Sequence, residues 1–391
     1  MNIYDKLGVK QFINASATLT MYGGSIMPDE VVRAMKEAAG SYVDILELHK
    51  KAGDYIAKLT RNEGAFISNG AAAGLVLAAA AAVAGDDPAR REMLPLSDGK
   101  NEIVISKAGR IRYDFALKMG GAKYALYGDD DKSTEAQLEA AITPNTAAIF
   151  MFYFEHRMGN QPSFEAQARI AKERGVYLFV DAAAQLPAKE NLWKFTQGGA
   201  DLAIFSGGKG LRGPQSSGLI VGKRELIDRI ATIASPNGGI GRPFKVGKEE
   251  IVGLMTAVRL YVEADEVATV ADYERQVEYF INEFNGADGG GGGGGSGGGV
   301  GGGGGSFGGV EVVRSFPSEA GQPMPRAQLK LLPGAFKADA AGIAAQLKEC
   351  KPAVLVAVQG DSLMINPQTL FKGEIEIVVD KIKEVLKANA T

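Results

Sequence analysis

Cysteine is nearly absent from this chain: Cys350 is the only one in 391 residues. A lone thiol cannot close an internal disulfide, which fits a reducing, cytoplasmic setting. Histidine is almost as scarce, with His49 and His156 alone. Neither stands in metal-ligand spacing with the cysteine, so no metal site is expected. An excess of one charge is missing too. The formal net charge is −3, too small to draw nucleic acid to the surface, and the basic pair Lys223-Arg224 is too short for an RNA patch. The longest apolar run, 71–84, falls short of the roughly twenty residues that a membrane helix needs, and no signal peptide opens the chain. A Gly-x-x-x-x-Gly-Lys-Ser/Thr phosphate loop is lacking, and outside the glycine tract at 289–309 so is a Gly-x-Ser-x-Gly nucleophile elbow. What remains agrees with a soluble enzyme, in a chain long enough for one large and one smaller domain.

What is present centres on Lys209, in the stretch Phe205-Ser206-Gly207-Gly208-Lys209-Gly210-Leu211-Arg212-Gly213-Pro214-Gln215. It follows an apolar strand pattern at 201–205, so the amine is carried to a strand end, and the flanking glycines let the backbone approach something bulky. A lysine desolvated in such a place loses its proton and becomes a nucleophile toward a carbonyl. Asp181 ends another apolar run, 176–180. A lysine that forms a Schiff base, with an aspartate that partners a ring nitrogen, is the pair pyridoxal phosphate requires. Ser68, Asn69, Gly70 and Ala71 lie where a strand pattern becomes a helix, a setting that suits a phosphate. Plain helix capping by Ser68 and Asn69 is the competing reading of that segment.

Strand and helix patterns alternate from 64 to 221, and the strands are apolar without alternation, which argues a mostly parallel sheet covered by helices on both faces. Helical patterns follow at 223–234 and as one run from 248 to about 284. Beyond 310 the order becomes strand, strand, helix, strand, strand, helix, a smaller α+β layer. The expected division is a large α/β domain over 45–265, with 1–44 and 266–391 forming the small domain. Between 289 and 309 every residue is glycine except Ser296, Val300, Ser306 and Phe307. A compact domain needs a turn and a strand there, so these glycines are expected to stand for residues of unassigned identity.

The segments Asp181-Ala182-Ala183-Ala184-Gln185 and Ser206 through Gln215 resemble the signature of fold-type I pyridoxal-phosphate enzymes. Within that fold type the chain is most similar to the selenocysteine synthase-like branch (L-seryl-tRNA selenium transferase-related), and there to its D-glucosaminate-6-phosphate ammonia lyase group. Stretches 13–20, 68–74, 112–114 and 241–250 carry the match further, so that it covers nearly everything outside the glycine tract. The resemblance implies that Lys209 holds the cofactor covalently and shuttles the substrate α-proton, and that Asp181 pairs with the pyridine nitrogen. It implies that Asn69, Gly70 and Ala71 cradle the phosphate, with Ser206 adding a hydroxyl. It also implies a homodimer or larger homo-oligomer, with Arg242 reaching the site of its own chain or of a second subunit. A turn cap at Ser206 and an interface ion pair at Arg242 are their structural alternatives. Arg110 and Arg212 are candidate anchors for a substrate carboxylate or phosphate, since a planar fork suits both.

One position departs from the family pattern, which has His-Arg where this chain reads Gly109-Arg110. The ring that would stack on the cofactor is missing. His156 is a candidate substitute, with a solvated loop position as the alternative, and His49 is expected to be structural. The chain reaches the Asn14-Ala15 motif almost at once and is net negative, so tRNA is not the expected substrate. The expected activity is a lyase removing the elements of water and then ammonia from a small polar amino acid, with D-glucosaminate 6-phosphate as the leading candidate. A racemase, aminotransferase or other β-eliminase is the nearest rival, and a degenerate cofactor-fold binding protein the more distant one.

Overall fold

A computed structural model describes residues 2–154, 159–286 and 307–391. The expectation for His156 lies outside the described residues, as does most of that for the glycine tract. The chain divides into two compact units. It opens with α1 (Ile3–Leu7) and β1 (Phe12–Ala15), which belong to the smaller unit. The larger unit, Thr20–Ala264 with Ala320–Gln322, begins with α2 (Asp29–Ala39), α3 (Ile45–Leu59), β2 (Gly64–Ser68), α4 (Gly70–Ala84) and α5 (Pro88–Met93). There follow β3 (Glu102–Ser106), α6 (Phe115–Met119), β4 (Lys123–Tyr127), α7 (Glu135–Ala141), β5 (Thr146–Phe152) and α8 (Phe164–Arg174). It closes with β6 (Tyr177–Asp181), α9 (Asn191–Gln197), β7 (Leu202–Ser206), β8 (Gly218–Gly222), α10 (Arg224–Ile233) and α11 (Lys248–Glu263). The smaller unit resumes with α12 (Glu266–Asn285), β9 (Val310–Ser315), β10 (Arg326–Leu331), α13 (Ala340–Leu347), β11 (Ala353–Gln359), β12 (Ser362–Ile365) and α14 (Glu374–Ala388).

The larger unit is built on a seven-stranded sheet in the order β2-β8-β7-β6-β5-β3-β4. Only β8 runs against its neighbours, so this is the mostly parallel α/β architecture expected of the sequence. Two cores lie on its faces, one under α3, α8, α9 and α11, the other under α4, α6 and α10. Helix α4 shows why its sequence is so poor in charge. All twelve residues from Ala73 to Ala84 are buried, and burying each of Leu75, Leu77 and Val83 contributes about 1.5–3 kcal/mol. The smaller unit carries a mixed sheet, β1-β11-β12-β10-β9, with β1 parallel to β11 and the other pairs antiparallel.

Two expectations change. Residues 20–44 fold with the larger unit, because Val31 is fully buried and Met35 packs on Gly253 of α11. The helical run expected from 248 to 284 is two helices. Ala264 is extended at ψ 150°, and the Asp265 carboxylate restarts the helix by accepting the Ala268 amide at 3.0 Å.

Candidate active site

Three strands of the large sheet end together, and β8 starts beside them. Ser68 at the end of β2 pairs with Gly218, and Gly218 pairs with Ser206 at the end of β7. Asp181 ends β6 opposite Ile204. Side chains two apart on a strand share a face, so Asp181 and Ser206 lie on the side of Ile204, whose methyl group packs against Gly74 of α4. That is also the side on which α4 begins.

The start of α4 is an open set of amide donors. Asn69 occupies the cap position, yet its side chain makes no cap bond and instead donates Nδ2 to the Lys245 carbonyl at 2.8 Å. The capping reading of Asn69 therefore does not hold. Ser68 Oγ likewise turns to the Gly70 carbonyl, at 2.9 Å. The first-turn N–H groups, which no helix satisfies internally, receive no cap from either side chain. Gly70 takes φ +75°, where a side chain would be strained, and a Cβ at Gly218 would run into the Gly70 carbonyl carbon. The two glycines bring β8 hard against the helix start.

The lysine loop packs on its own surroundings. A Cβ at Gly208 would stand 2.7 Å from Gln215 Cα, and one at Gly210 would stand 2.5 Å from the Leu186 carbonyl. The glycines thus serve close approach, as expected, but to neighbouring protein backbone. Within the loop the Arg212 amide donates to the Lys209 carbonyl at 2.9 Å. Lys209 itself is half-buried and close enough to Asp181 to act on its titration. Asp181 is 8% exposed. Burial pushes its pKa up to about 6, opposed by the Ala183 amide and by the positive charge of Lys209. The Ala183 N–H donates to its Oδ1 at 2.9 Å.

The three arginines fare differently. Arg110 is engaged: its Nε donates to Asp114 Oδ2 at 2.5 Å, and its guanidinium lies 5.2 Å from the Tyr124 ring centre. Arg212 is exposed, at φ 54°, with Nε donating to the Ile26 carbonyl at 3.0 Å. Arg242 is exposed, and its guanidinium has no hydrogen-bond or ion-pair partner among the described residues. At Gly109, where the family pattern carries a ring, a Cβ would lie 2.5 Å from Gln161 Oε1. The buried Gln161 side chain fills that place, and position 109 alone gave no hint of it.

Sequence reasoning also missed Gln185, which is 2% exposed and donates Nε2 to the Tyr153 and Ala320 carbonyls, each at 2.9 Å. Ser25 was missed as well: its amide and hydroxyl both donate to the Gly208 carbonyl, at 3.0 and 2.9 Å. The Gly23-Gly24-Ser25 run was the only signal of that contact. Among the described residues no cluster of His, Cys, Asp or Glu could hold a metal, and no helix is long and apolar enough to cross a membrane. A cavity of about 820 Å³ opens at the opposite pole of the sheet, near Lys172, Gly199 and Lys223, and takes in none of the residues above.

The chain matches the family model described as L-seryl-tRNA selenium transferase over residues 12–273. It is 29% identical to a D-glucosaminate-6-phosphate ammonia lyase of Salmonella typhimurium, covering 98% of both chains. It is 31% identical to a 5'-C-glycyluridine monooxygenase-decarboxylase of a Streptomyces species, covering 98% of this chain and 92% of that one. A solved structure of D-glucosaminate-6-phosphate ammonia-lyase superposes with a TM-score of 0.81 at 28% identity, covering 100% of this chain and 99% of the other. This chain therefore belongs to the L-seryl-tRNA selenium transferase family of fold-type I pyridoxal-phosphate enzymes.

Proposed function

We propose that this protein is a pyridoxal-phosphate-dependent lyase that eliminates a β-hydroxyl and then ammonia from a small polar amino acid, with D-glucosaminate 6-phosphate as the leading candidate. The observation that carries the reading is the buried Asp181 within electrostatic reach of Lys209, on the side of the sheet where α4 opens. The residues present fit the cofactor. The uncapped amides of Gly70 and Ala71 suit its phosphate, with Asn69 fixing the turn and Ser206 beside them. Asp181 would hold its ring nitrogen, since a carboxyl that burial makes costly to ionise gains most from a cationic N–H. When bound, the cofactor supplies an aldehyde for the substrate amine and an electron sink for the α-carbon. Lys209 Nζ would hold that aldehyde before substrate arrives and, once released, take the proton from the α-carbon. The β-hydroxyl leaves as water, a later water cleaves the C–N bond, and the net products are a 2-keto-3-deoxy acid and ammonia. Of the cationic side chains, Arg242 has a guanidinium without a partner among the described residues and Arg212 is exposed. Both are better placed than Arg110 to meet a carboxylate or phosphate.

A second reading rests on the comparably similar monooxygenase-decarboxylase: the same residues would serve an oxidative loss of carbon dioxide from an amino acid carrying a nucleoside. One panel separates the two. Cofactor-loaded protein is offered amino sugar acids, their phosphates and glycyl nucleosides, and ammonia, keto acid, carbon dioxide and oxygen uptake are followed. Ammonia and keto acid without oxygen uptake are expected. Oxygen-dependent carbon dioxide release would favour the second reading. Borohydride reduction is expected to label Lys209 and to fail in Lys209→Ala, and labelling at Lys107 or Lys245 instead would overturn the assignment of Lys209.

A further inference from the structure

Away from Lys209 the larger unit contains a cavity of about 220 Å³ beside the edge strand β2. Its apolar lining comes from Leu46, Phe66, Ile227 and Ala231. Two polar side chains share it, His49 and Ser235, exposed to only 6% and 8%. The His49 ring stacks on Phe66 at 4.6 Å, and neither of its nitrogens has a hydrogen-bond partner among the described residues. Ser235 has none among the described residues. Buried polar atoms are almost always paired, and leaving one unpaired costs about 1–3 kcal/mol. The two bare His49 nitrogens, with the Ser235 hydroxyl beside them, mark a place that something polar completes.

We infer that this cavity binds a small organic cation with a flat apolar body, an ammonium or amidinium compound. The charge follows from the rim. Lys50 and Arg224 line it, but both already face Asp54, at 2.6 and 3.0 Å, and the Arg224 amide donates to Glu63 Oε2 at 3.2 Å. Asp228 lines the cavity with no partner among the described residues. Five charged groups thus leave one negative charge uncompensated. Burial holds the His49 pKa down at about 4, so at neutral pH the imidazole offers a bare nitrogen. That nitrogen, the Ser235 hydroxyl oxygen and the Asp228 carboxylate all accept, and a cation with several N–H groups supplies what they lack. For size, an apolar cavity of about 150 Å³ takes up benzene. This one has room for a ring and a short polar head, more than a bridging water needs.

Benzamidine is a fitting probe, with benzamide as its uncharged isostere and benzoate as the anion. Titration into cofactor-saturated protein is followed by imidazole NMR and calorimetry, the His49 signals being assigned by their loss in His49→Phe. Benzamidine is expected to shift the His49 signals and to bind at least tenfold more tightly than benzamide, and benzoate is expected not to bind. Asp228→Asn, an exposed substitution, should cut benzamidine affinity to the level of benzamide. Equal binding of all three, unchanged affinity in Asp228→Asn, or a crystal soaked in benzamidine with only ordered water beside His49 would each overturn the inference. So would binding that perturbs the cofactor absorbance and survives Asp228→Asn, since that places the probe at Lys209.

Discussion

A carboxyl group buried as deeply as Asp181 favours its protonated form until a positive group reaches it. Its pKa stands at about 6 in the folded chain against an ordinary 3.8. Folding therefore takes up a proton between those values. This group does not weaken the cofactor-free protein below about pH 4, and it costs up to about 3 kcal/mol as the pH rises through 6. Asp181→Asn removes that cost. Denaturant unfolding of the cofactor-free proteins should show the variant more stable at pH 8 and equal to wild type near pH 4. Cofactor-saturated wild type should lose this pH dependence, because a ring N–H then supplies the missing charge. Turnover in the variant should fall by orders of magnitude, since an amide cannot keep that nitrogen protonated. A variant that is no more stable at pH 8 would mean that Asp181 is already well compensated in the empty site.

Among the elements, α4 and the antiparallel β8 decide how the cofactor would be seated. Gly218→Ala puts a methyl group into the Gly70 carbonyl and has to push the helix start away from β8. The expected result is at least tenfold weaker cofactor retention, read by dialysis and absorbance, with an unchanged far-ultraviolet spectrum. Retention at the wild-type level would place the phosphate elsewhere. The sequence showed this part well because its signals are local. Apolar runs that end in Ser68, Asp181 and Ser206 mark the strand ends, and the alanine-rich run after Gly70 marks a helix buried all round. It showed poorly whatever depends on a distant partner. Nothing near Gly109 announces that Gln161 fills its side. The pattern around His49 reads as a polar helix, yet that ring turns inward onto Phe66. Asp265 was read as one more helical position, although its carboxylate caps the start of a new helix.

For the molecule as a whole, the surface suggests company. Tyr113, Phe115 and Leu96 are 68%, 62% and 81% exposed, and the first two adjoin the Arg110–Asp114 pair. Large apolar side chains so exposed favour contact with a second copy. We expect a homodimer or larger assembly, with Arg242 of one chain serving the site of the other. Lys209→Ala and Arg242→Ala protomers, each inactive alone, should then recover part of the activity when mixed, because a hybrid carries one intact site. No recovery after verified subunit exchange would put Arg242 in its own chain's site or outside any site.

The hydrogen bonds from Ser25 to the Gly208 carbonyl join residues 183 positions apart, and Arg212 reaches Ile26 across 186. Seen in time, the loop bearing Lys209 cannot take its final form until the chain between has been made and folded, while the 20–26 segment waits from the beginning. Contacts of such long range form late, after local helices and hairpins have paid their entropy. The protein would then complete its fold well before it can capture a cofactor. In refolding from denaturant with pyridoxal phosphate present, far-ultraviolet signal should return first and the protein-bound cofactor absorbance afterwards. Ser25→Ala should widen the interval, and simultaneous recovery of both signals would show that the lysine loop forms without its early partner.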